Sequence, residues 1–529
     1  MFGSGNRLWP QRPTSFRRHR TRMRTPWLLL LFGIADYMYA GTLTGIVLEH
    51  ASGRPLSRTV VRLQAVPTKG SVASQPLMTR TSQSGQFVFA TVPSGTYLLT
   101  AMRNAYFPAA YGQRLPAGSG APISIGADST HFAELRMCHK GAVTGRVLDE
   151  NGVGSPGVPV MAYRARLPLR TAGSSTSDDR GVFRIGGLEP GKYWVRSGAH
   201  TLEDGAGWLP TFAPQESEVR NARLFRVTVD TDTTDADVNP QSGALFSLSG
   251  WITCQTAGPV VITLTSDTSE RTGQTFCGPD PGSYRFQGLP GGAYEVFASA
   301  QDGRSSAFSE FTIGGNLEVN LSLAQSPDVQ IEVLRTGGGS LGAAAVKLIG
   351  RRQNLSETGS PLEITAPRAN LGPGFWEMRA NVPPDQYVQS IVNVRTGRQG
   401  RRNAVSPPDW FQVFIDPGRP SIIRVTVSDQ AAKISGRVMT EGRPSPGAPV
   451  FLWPAGEGQR RSLGGRLQAT TDTEGAFQFD GLPPGEYRVL ASFDVSEIDE
   501  ETIDRGHALA AQCEAGKTSV IELPLWVAY

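Results

Sequence analysis

The sequence predicts an all-β protein: a tandem array of about five antiparallel, Ig-like or prealbumin-like β-sandwich domains behind an N-terminal signal segment. Three observations lead there, namely 61 Gly and 38 Pro among 529 residues, short segments of alternating polarity, and a repeat of roughly one hundred residues. The glycines and prolines exclude a coiled coil, a helical bundle and a multi-span membrane protein, because each needs long segments without them. Apolar residues make up 39%, which is enough for hydrophobic cores and argues against a disordered chain.

Residues 1–40 have the pattern of a secretory leader. The first 25 residues contain seven arginines and no acidic residue, and an apolar run then extends from Pro26 to Ala35. This run is too short to cross a bilayer as a helix, and small Ala40 precedes the first strand-like segment. The pattern predicts a cleaved signal peptide, with an uncleaved N-terminal anchor as the alternative.

The charge of the chain outside the leader excludes one class of partner. The formal net charge is +4, but residues 41–529 hold 44 basic and 46 acidic side chains. A body with no basic excess is not expected to bind nucleic acid. Since no second apolar segment is long enough to cross a membrane, we expect a secreted protein, periplasmic or at the cell surface, whose partner is a protein or polysaccharide of the cell envelope.

A repeated pattern of glycine, paired rings and tyrosine predicts the sandwich. Each copy begins with a strand-like opener around a glycine, and continues to a Phe-x-Phe-like strand, a Pro-Gly turn and a tyrosine. The opener glycines are Gly45, Gly145, Gly250 and Gly436. In four copies a second glycine and the tyrosine are 12 residues apart, as Gly85–Tyr97, Gly181–Tyr193, Gly282–Tyr294 and Gly475–Tyr487.

Each part of this pattern has a structural role. The second glycine follows polar turn residues, where a positive φ is expected. The two rings alternate with period two, so both face the core side of one sheet. The tyrosine can pack its ring inward and donate its hydroxyl to loop backbone, as in the tyrosine corner of sandwiches. Short strands between Gly/Pro turns then predict antiparallel β-sandwiches.

A degenerate copy completes the domain organisation. It extends from Gly374 to Tyr387, 13 residues apart, with Asp385 where glycine is expected. The predicted domains are 41–138, 139–243, 244–325, 326–430 (the degenerate copy) and 431–529.

At these residues the chain resembles a tandem of carboxypeptidase-regulatory-like domains, which are transthyretin-like sandwiches related to collagen-adhesin B-type repeats. Gly145–Tyr193 and Gly436–Tyr487 match the family pattern most closely, and 326–430 matches it least. The resemblance implies exported, mostly non-catalytic modules. Some relatives share their fold with starch-binding modules, and the metallopeptidase domain that names the family is absent from this sequence.

A loop after the tyrosine strand contains aromatic residues in the first two copies. These are Tyr106, Phe107 and Tyr111 in the first copy, and Trp208 and Phe212 in the second. Flat aromatic faces in a loop can stack on sugar rings or cover an apolar patch of a partner. They are therefore the predicted ligand-binding residues, with a lid over the sandwich core as the alternative.

Four carboxylates lie close together in the sequence, at Asp230, Asp232, Asp235 and Asp237. Oxygen-rich loops can bind calcium, which is the one cofactor considered for this chain. Because the segment lacks the turn glycine and the closing glutamate of an EF-hand, a solvated connector is the competing interpretation.

The four cysteines separate into a pair and two single residues. Cys254 and Cys277 are 23 residues apart within one predicted domain, so a disulfide is expected there. Cys138 and Cys513 have no predicted partner. None of the four belongs to a CxxC motif or to a Cys/His cluster with zinc-site spacing.

No catalytic residues are predicted. Ser340 lies in a GxSxG match, but a nucleophile elbow needs a strand–helix bend, and the only later histidine, His507, lies in another predicted domain. We therefore expect a non-enzymatic, exported structural or interaction (adhesion-type) module array at the cell envelope. The alternatives are a carbohydrate-binding module array using the loop aromatics, a calcium-stiffened adhesin stalk, and an enzyme with an unrecognised site.

Overall fold

The computed structural model describes most of the chain after the leader. The described residues are 40–68, 74–116, 118–167, 169–202, 207–266, 270–326, 328–342, 346–353, 361–396 and 409–528. The predicted leader, apart from Ala40, lies outside them. Within the described residues the chain is almost entirely strand, with two short α-helices and one 3-10 turn, so the all-β prediction is confirmed. No helix there is both long and apolar enough to cross a membrane.

Five buried hydrophobic clusters divide these strands into five sandwiches, which we call modules 1 to 5. Module 1 consists of β1 (Ala40–Glu49), β2 (Val60–Ala65), β3 (Leu77–Arg80), β4 (Gln86–Pro93), β5 (Gly95–Met102), β6 (Ala109–Ala110), β7 (Ile123–Ile125) and β8 (Thr130–Met137). Module 2 consists of β9 (Gly141–Arg146), β10 (Pro159–Arg164), β11 (Thr171–Thr176), β12 (Val182–Leu188), β13 (Gly191–Ser197), β14 (His200–Thr201), β15 (Gly207–Trp208), the 3-10 turn Val219–Asn221, β16 (Phe225–Val227) and β17 (Asp232–Thr233).

The remaining modules continue in chain order. Module 3 consists of β18 (Leu245–Thr253), β19 (Gly258–Thr265), β20 (Glu270–Cys277), β21 (Gly282–Pro290), β22 (Gly292–Ala300), β23 (Ser305–Ile313), β24 (Leu317–Glu318), β25 (Leu321–Ser322) and β26 (Ala324–Gln325). Module 4 consists of β27 (Asp328–Arg335), β28 (Lys347–Arg352), β29 (Leu362–Ile364), β30 (Arg368–Asn370), β31 (Gly374–Asn381), β32 (Tyr387–Asn393), β33 (Phe411–Ile415) and β34 (Ser421–Ser428). Module 5 consists of β35 (Ala432–Thr440), β36 (Arg443–Pro444), β37 (Pro449–Pro454), α1 (Glu457–Leu463), β38 (Gln468–Thr470), β39 (Ala476–Leu482), β40 (Gly485–Ala491), α2 (Glu500–Arg505), β41 (Leu509–Cys513) and β42 (Thr518–Pro524).

Modules 1, 2, 3 and 5 share one strand order. The opener strand lies centrally in one sheet, antiparallel to the Phe-x-Phe strand and parallel to the last strands of the module, as in β4-β1-β8 and β39-β35-β42. The second sheet pairs the second strand with the tyrosine strand, as in β3-β2-β5 and β38-β37-β40. The paired rings, among them Phe87 with Phe89 and Phe477 with Phe479, are buried between the sheets as predicted.

The opener glycines are required by close packing. A Cβ on Gly45 would overlap the carbonyl oxygen of Ala133 on the parallel neighbour strand and the ring of Phe87. The same arrangement holds at Gly436, against the Ile521 carbonyl and the Phe477 ring. The ring of the Phe-x-Phe strand therefore occupies the space that a side chain in the opener would need.

The turn glycines and the tyrosines behave largely as expected. Gly85, Gly181 and Gly475 have φ between 71° and 75°, whereas Gly282, which follows Pro281, does not have a positive φ. Each tyrosine hydroxyl donates to the carbonyl four residues earlier, at 2.7 Å for Tyr97, 2.9 Å for Tyr193, 2.9 Å for Tyr294 and 2.6 Å for Tyr487. These are tyrosine corners, and they close the turn between the two sheets.

The alignment predicted for the fourth copy is wrong. Strand β31, which begins at Gly374, pairs with β28 and β33, and so has the position of a tyrosine strand. Trp376 on β31 donates its indole N–H to the Gly372 carbonyl at 2.9 Å, again four residues earlier. Trp376 thus replaces the corner tyrosine, and Tyr387 begins β32 in the opposite sheet. The Phe-x-Phe strand and the tyrosine strand both begin at or after a glycine and contain aromatic residues. Because of this similarity, the sequence pattern assigned β31 to the Phe-x-Phe strand, whereas it is the tyrosine strand of module 4.

Candidate functional site

The modules contact one another beyond their chain neighbours. Module 1 contacts module 5, where the Ser119 N–H donates to the Phe493 carbonyl at 2.8 Å and the Thr473 N–H donates to the Pro67 carbonyl at 3.1 Å. Module 2 also contacts module 4, where Arg170 binds Glu377, and the consecutive modules 3 and 4 meet through Phe308, which is edge-on to Phe375. Such contacts bring residues that are distant in sequence into shared clefts.

One cleft among the described residues collects side chains from four modules. It has a volume of about 970 Å³ and is lined by Phe107 of module 1, Lys192 of module 2, Trp410 of module 4, and Trp453 and Glu501 of module 5, among others. This cleft is the candidate functional site, and we refer to it as the inter-module cleft.

A buried carboxylate anchors one wall of the inter-module cleft. Glu377 on β31 is 1% exposed, and its oxygens accept hydrogen bonds from Arg170 of module 2 at 3.0 and 3.1 Å and from Arg351 at 2.7 Å. The Arg351 guanidinium also lies over the Trp410 ring, 4.4 Å from its centroid. Arg351 belongs to the same module as Glu377, so the pair with Arg170 is the one that links modules 2 and 4 through this buried carboxylate.

Ion pairs between modules 2 and 5 also line the inter-module cleft. Lys192 lies 2.7 Å from Glu501, and Arg164 lies 3.0 Å from Glu497. The hydrogen bond from Lys192 lowers the pKa of Glu501, so this carboxylate is ionised at neutral pH. These exposed pairs hold the modules in register more than they add stability.

Two buried guanidinium N–H groups at the cleft lack an acceptor within the described part of the chain. They are Arg170 Nη1 and Arg460 Nε. Arg460 lies over the Trp453 ring at 4.1 Å from its centroid, and burial lowers its pKa. Buried donors without acceptors are unfavourable, so an oxygen-bearing ligand would bind favourably here.

The predicted aromatic ligand site does not form one surface. Trp208 and Phe212 are 5% and 2% exposed and belong to the buried side of module 2. Tyr111 packs against the core of module 1, and Phe107 alone lines the inter-module cleft.

Tyr106 takes part in a polar cluster. Its hydroxyl donates to Glu49 at 2.8 Å, and its ring lies 4.2 Å from that of His139. Hydrogen bonds from Ser52, then Tyr106 and Arg54, lower the pKa of Glu49 to about 2. Glu49 therefore remains an ionised acceptor within module 1.

The four predicted calcium ligands point to different partners. Both oxygens of Asp232 accept from Arg184, at 2.7 and 2.9 Å. Asp237 accepts from the Arg146 N–H at 2.8 Å, and Asp235 from the Thr234 hydroxyl at 3.2 Å. Asp230 accepts from the His139 N–H at 2.5 Å, and the four carboxylates are not brought together.

The cysteines and the GxSxG match are placed as follows. Cys254 and Cys277 form a disulfide within module 3, while Cys138 and Cys513 are free thiols. Burial, together with the charge of Asp230, raises the pKa of Cys138 to about 12. Ser340 pairs with Leu334 in module 4, and His507 follows α2 in module 5, so the two lie in different sandwiches.

Sequence reasoning missed the inter-module cleft. Its arginines and tryptophans lie outside the repeated pattern, at Arg170, Arg351, Trp410, Trp453 and Arg460. The only available signal was that these residues depart from the consensus. Their convergence depends on packing between modules, which no local spacing encodes.

Comparison with known proteins identifies the type of module. The carboxypeptidase regulatory-like domain model matches residues 42–127 and 433–510, which lie in modules 1 and 5. Modules 1 and 5 therefore each match the carboxypeptidase regulatory-like domain, the family that the repeat pattern predicted. The search of curated proteins finds no match.

Several solved structures resemble the chain at low identity. The minor pilin GBS52 of Streptococcus agalactiae is 14% identical over 39% of this chain and 97% of that chain, with a TM-score of 0.25. BcpA, the major pilin subunit of Bacillus cereus, is 10% identical over 73% and 99%, with a TM-score of 0.14. Two B repeat units of the collagen binding protein of Staphylococcus aureus are 10% identical over 73% and 99%, with a TM-score of 0.12.

Proposed function

We propose that the protein is an exported, non-enzymatic interaction protein of adhesion type at the cell envelope, and that its partner binds in the inter-module cleft. The observation that carries the proposal is the pair of buried N–H groups, on Arg170 and Arg460, that have no acceptor among the described residues. A partner with carboxylate or other anionic oxygens satisfies these donors and meets the half-buried Trp453 beside them.

The proposal includes no catalytic residues because the carboxylates at the cleft form ion pairs. The cleft-lining Glu189, Glu497 and Glu501, and the buried Glu377 that holds Arg170 and Arg351, are each paired with Arg or Lys. Paired carboxylates suit module assembly better than general acid–base chemistry, which needs a group whose pKa lies near neutral pH.

Binding to isolated cell envelopes tests the location of the site. We expect the purified protein to cosediment with envelopes from cells lacking it, and Arg460→Ala and Trp453→Ala each to weaken this binding at least tenfold. Trp251→Ala is the matched control, since Trp251 is exposed on module 3. Equal binding by all four proteins would contradict the cleft as the site.

Export and the lack of catalysis are tested separately. Cell fractionation and N-terminal sequencing are expected to find the mature chain outside the cytosol and beginning near Gly41. Turnover of peptides or glycans by the purified protein above background, lost in Ser340→Ala or His507→Ala, would overturn the non-enzymatic assignment.

A polysaccharide is the second candidate partner. It is favoured by Phe107, the one predicted ligand-binding aromatic that shares the cleft with Trp453. Aromatic faces and guanidinium donors together suit an acidic sugar. A glycan array probed with the wild type, Trp453→Ala and Trp208→Ala separates the cleft from the predicted loop site in module 2.

A further inference from the structure

Two strand ends of module 1 place potential metal ligands side by side. Strands β1 and β8 are parallel, and their last paired residues are Glu49 and Met137. His50 and Cys138 are the next residue of each strand, and the His50 N–H donates to the Met137 carbonyl at 2.9 Å. An imidazole and a thiol thus leave neighbouring strands at the same end of the sheet.

A carboxylate from module 2 reaches the same place. Asp230 follows β16, and its backbone is held at φ 55° while its N–H donates to the His139 carbonyl at 3.1 Å. Its Oδ1 accepts the His139 N–H at 2.5 Å. The Asp230 side chain is 15% exposed. Its Oδ2 is buried and has no hydrogen-bond partner among the described residues.

The three donor atoms lie within reach of one ion. One ligand atom from each of His50, Cys138 and Asp230 lies within 4.8 Å of the other two. Among the described residues, these three side chains are the group whose ligand atoms lie close enough to share one metal ion. Donors around a tetrahedral zinc are about 3.5 Å apart, a separation that rotation of the exposed His50 can reach. The nearby Glu49 accepts hydrogen bonds from Tyr106 and Arg54, so Asp230 is the carboxylate available to a metal ion here.

We propose that His50, Cys138 and Asp230 form a binding site for a divalent transition metal of the zinc type, with a water molecule as the fourth ligand. Imidazole, thiolate and carboxylate are the ligands that zinc prefers. Calcium and magnesium are excluded as occupants because they take oxygen ligands. His139 lies beside the site, with Nδ1 3.6 Å from Asp230 Oδ1.

The site would join two modules at their shared boundary. His50 and Cys138 belong to the strand ends of module 1, while Asp230 belongs to the loop before β17 of module 2. A bound metal would therefore fix the connection between Cys138 and Gly141, where the chain passes from one sandwich to the next. This inference is independent of the inter-module cleft.

Cobalt and zinc titrations of the purified protein test the proposal. We expect one equivalent of Co²⁺ to bind with a thiolate-to-metal charge-transfer absorption, and Zn²⁺ to displace it. Zn²⁺ is also expected to protect Cys138 from alkylation, as read by mass spectrometry. A zinc chelator reverses this protection, whereas Ca²⁺ added in place of Zn²⁺ gives none.

Variants assign the ligands. Cys138→Ser removes the charge-transfer band, and His50→Ala and Asp230→Asn each weaken Co²⁺ binding at least tenfold. Asn tolerates the left-handed backbone of position 230 and keeps the bond to His139, so the fold should survive. His507→Asn, which removes another exposed imidazole at a positive φ, is the matched control and should bind normally.

The following results would overturn the proposal. They are binding below one tenth of an equivalent, a charge-transfer band that persists in Cys138→Ser, or equal alkylation of Cys138 with and without Zn²⁺. Unaltered thermal unfolding of apo Asp230→Asn shows that any loss of binding reflects the ligand and not misfolding.

Discussion

At the scale of single residues, the corner side chains decide how each sandwich closes. In modules 1, 2, 3 and 5 a tyrosine hydroxyl donates to the carbonyl four residues back, and in module 4 the Trp376 indole does the same. The shared requirement is a flat ring with a donor at its far edge. Tyrosine and tryptophan both meet this requirement. A sequence pattern that requires tyrosine therefore does not recognise the corner residue of the fourth copy.

Removing one corner hydroxyl should destabilise module 5. Tyr487 is fully buried, so Tyr487→Phe leaves the Pro483 carbonyl without its donor and should cost about 1 kcal/mol of unfolding free energy. Urea unfolding measures this loss. Tyr387→Phe is the control, since Tyr387 is no corner residue; an equal loss in both variants would contradict the role given to the corner.

Alkaline pH should weaken the fold through the buried tyrosines. Burial raises the pKa of Tyr294 to about 12, whereas the unfolded side chain titrates near 10. Only the unfolded state then loses this proton between about pH 10 and 12, so stability is full below pH 10 and falls as pH rises. We expect the denaturant midpoint to fall less steeply in Tyr294→Phe than in the wild type over that range, and parallel curves would refute this.

At the scale of elements, the opener strand explains the most regular glycine of the repeat. The strand lies between an antiparallel and a parallel neighbour, and its glycine receives the Phe ring from one and the carbonyl from the other. The motif is thus a packing constraint across three strands, although it appears in the sequence as a local signature.

Filling that space should be costly. Gly436→Ala places a methyl group against the Ile521 carbonyl and the Phe477 ring, and overpacking of this kind costs about 1–3 kcal/mol. Thermal unfolding of this variant is compared with Gly315→Ala, where an added methyl group meets nothing within 4 Å. A smaller loss for Gly436→Ala than for Gly315→Ala would refute the packing explanation.

At the scale of the whole molecule, charged side chains join modules that the chain does not connect directly. Glu377 of module 4 binds Arg170 of module 2. Module 5 meets module 2 through the Lys192–Glu501 pair. These contacts join three of the four modules that line the inter-module cleft.

Neutralising the shared carboxylate should loosen this assembly. Glu377→Gln leaves Arg170 and Arg351 partly buried without their counter-charge, at a cost of about 3–5 kcal/mol. Calorimetry and small-angle scattering should show a lower unfolding temperature and a larger radius of gyration. The exposed Glu332–Arg424 pair supplies the control, because Glu332→Gln should change stability by less than about 1 kcal/mol. Indistinguishable behaviour of the two variants would contradict this assembly.

The sequence by itself determined the fold class and most of its strand pattern. Period-two alternation, turn glycines and ring spacing are local properties, so they suffice to assign Phe477, Phe479 and Tyr487 to the core. They do not suffice to place Trp208 and Phe212 in the core rather than on a binding face, because exposure depends on which strands cover a loop.

Only the tertiary structure decided where chemistry could occur. Arg170 binds Glu377 of a second module and lines one cleft with Arg460 of a third. His50, Cys138 and Asp230 come together from two modules, at sequence separations that no motif spans. Local sequence dictates backbone geometry within a strand or turn. The convergence of charged and metal-binding groups is instead set by the relative placement of whole sandwiches, through contacts of residues outside the repeat.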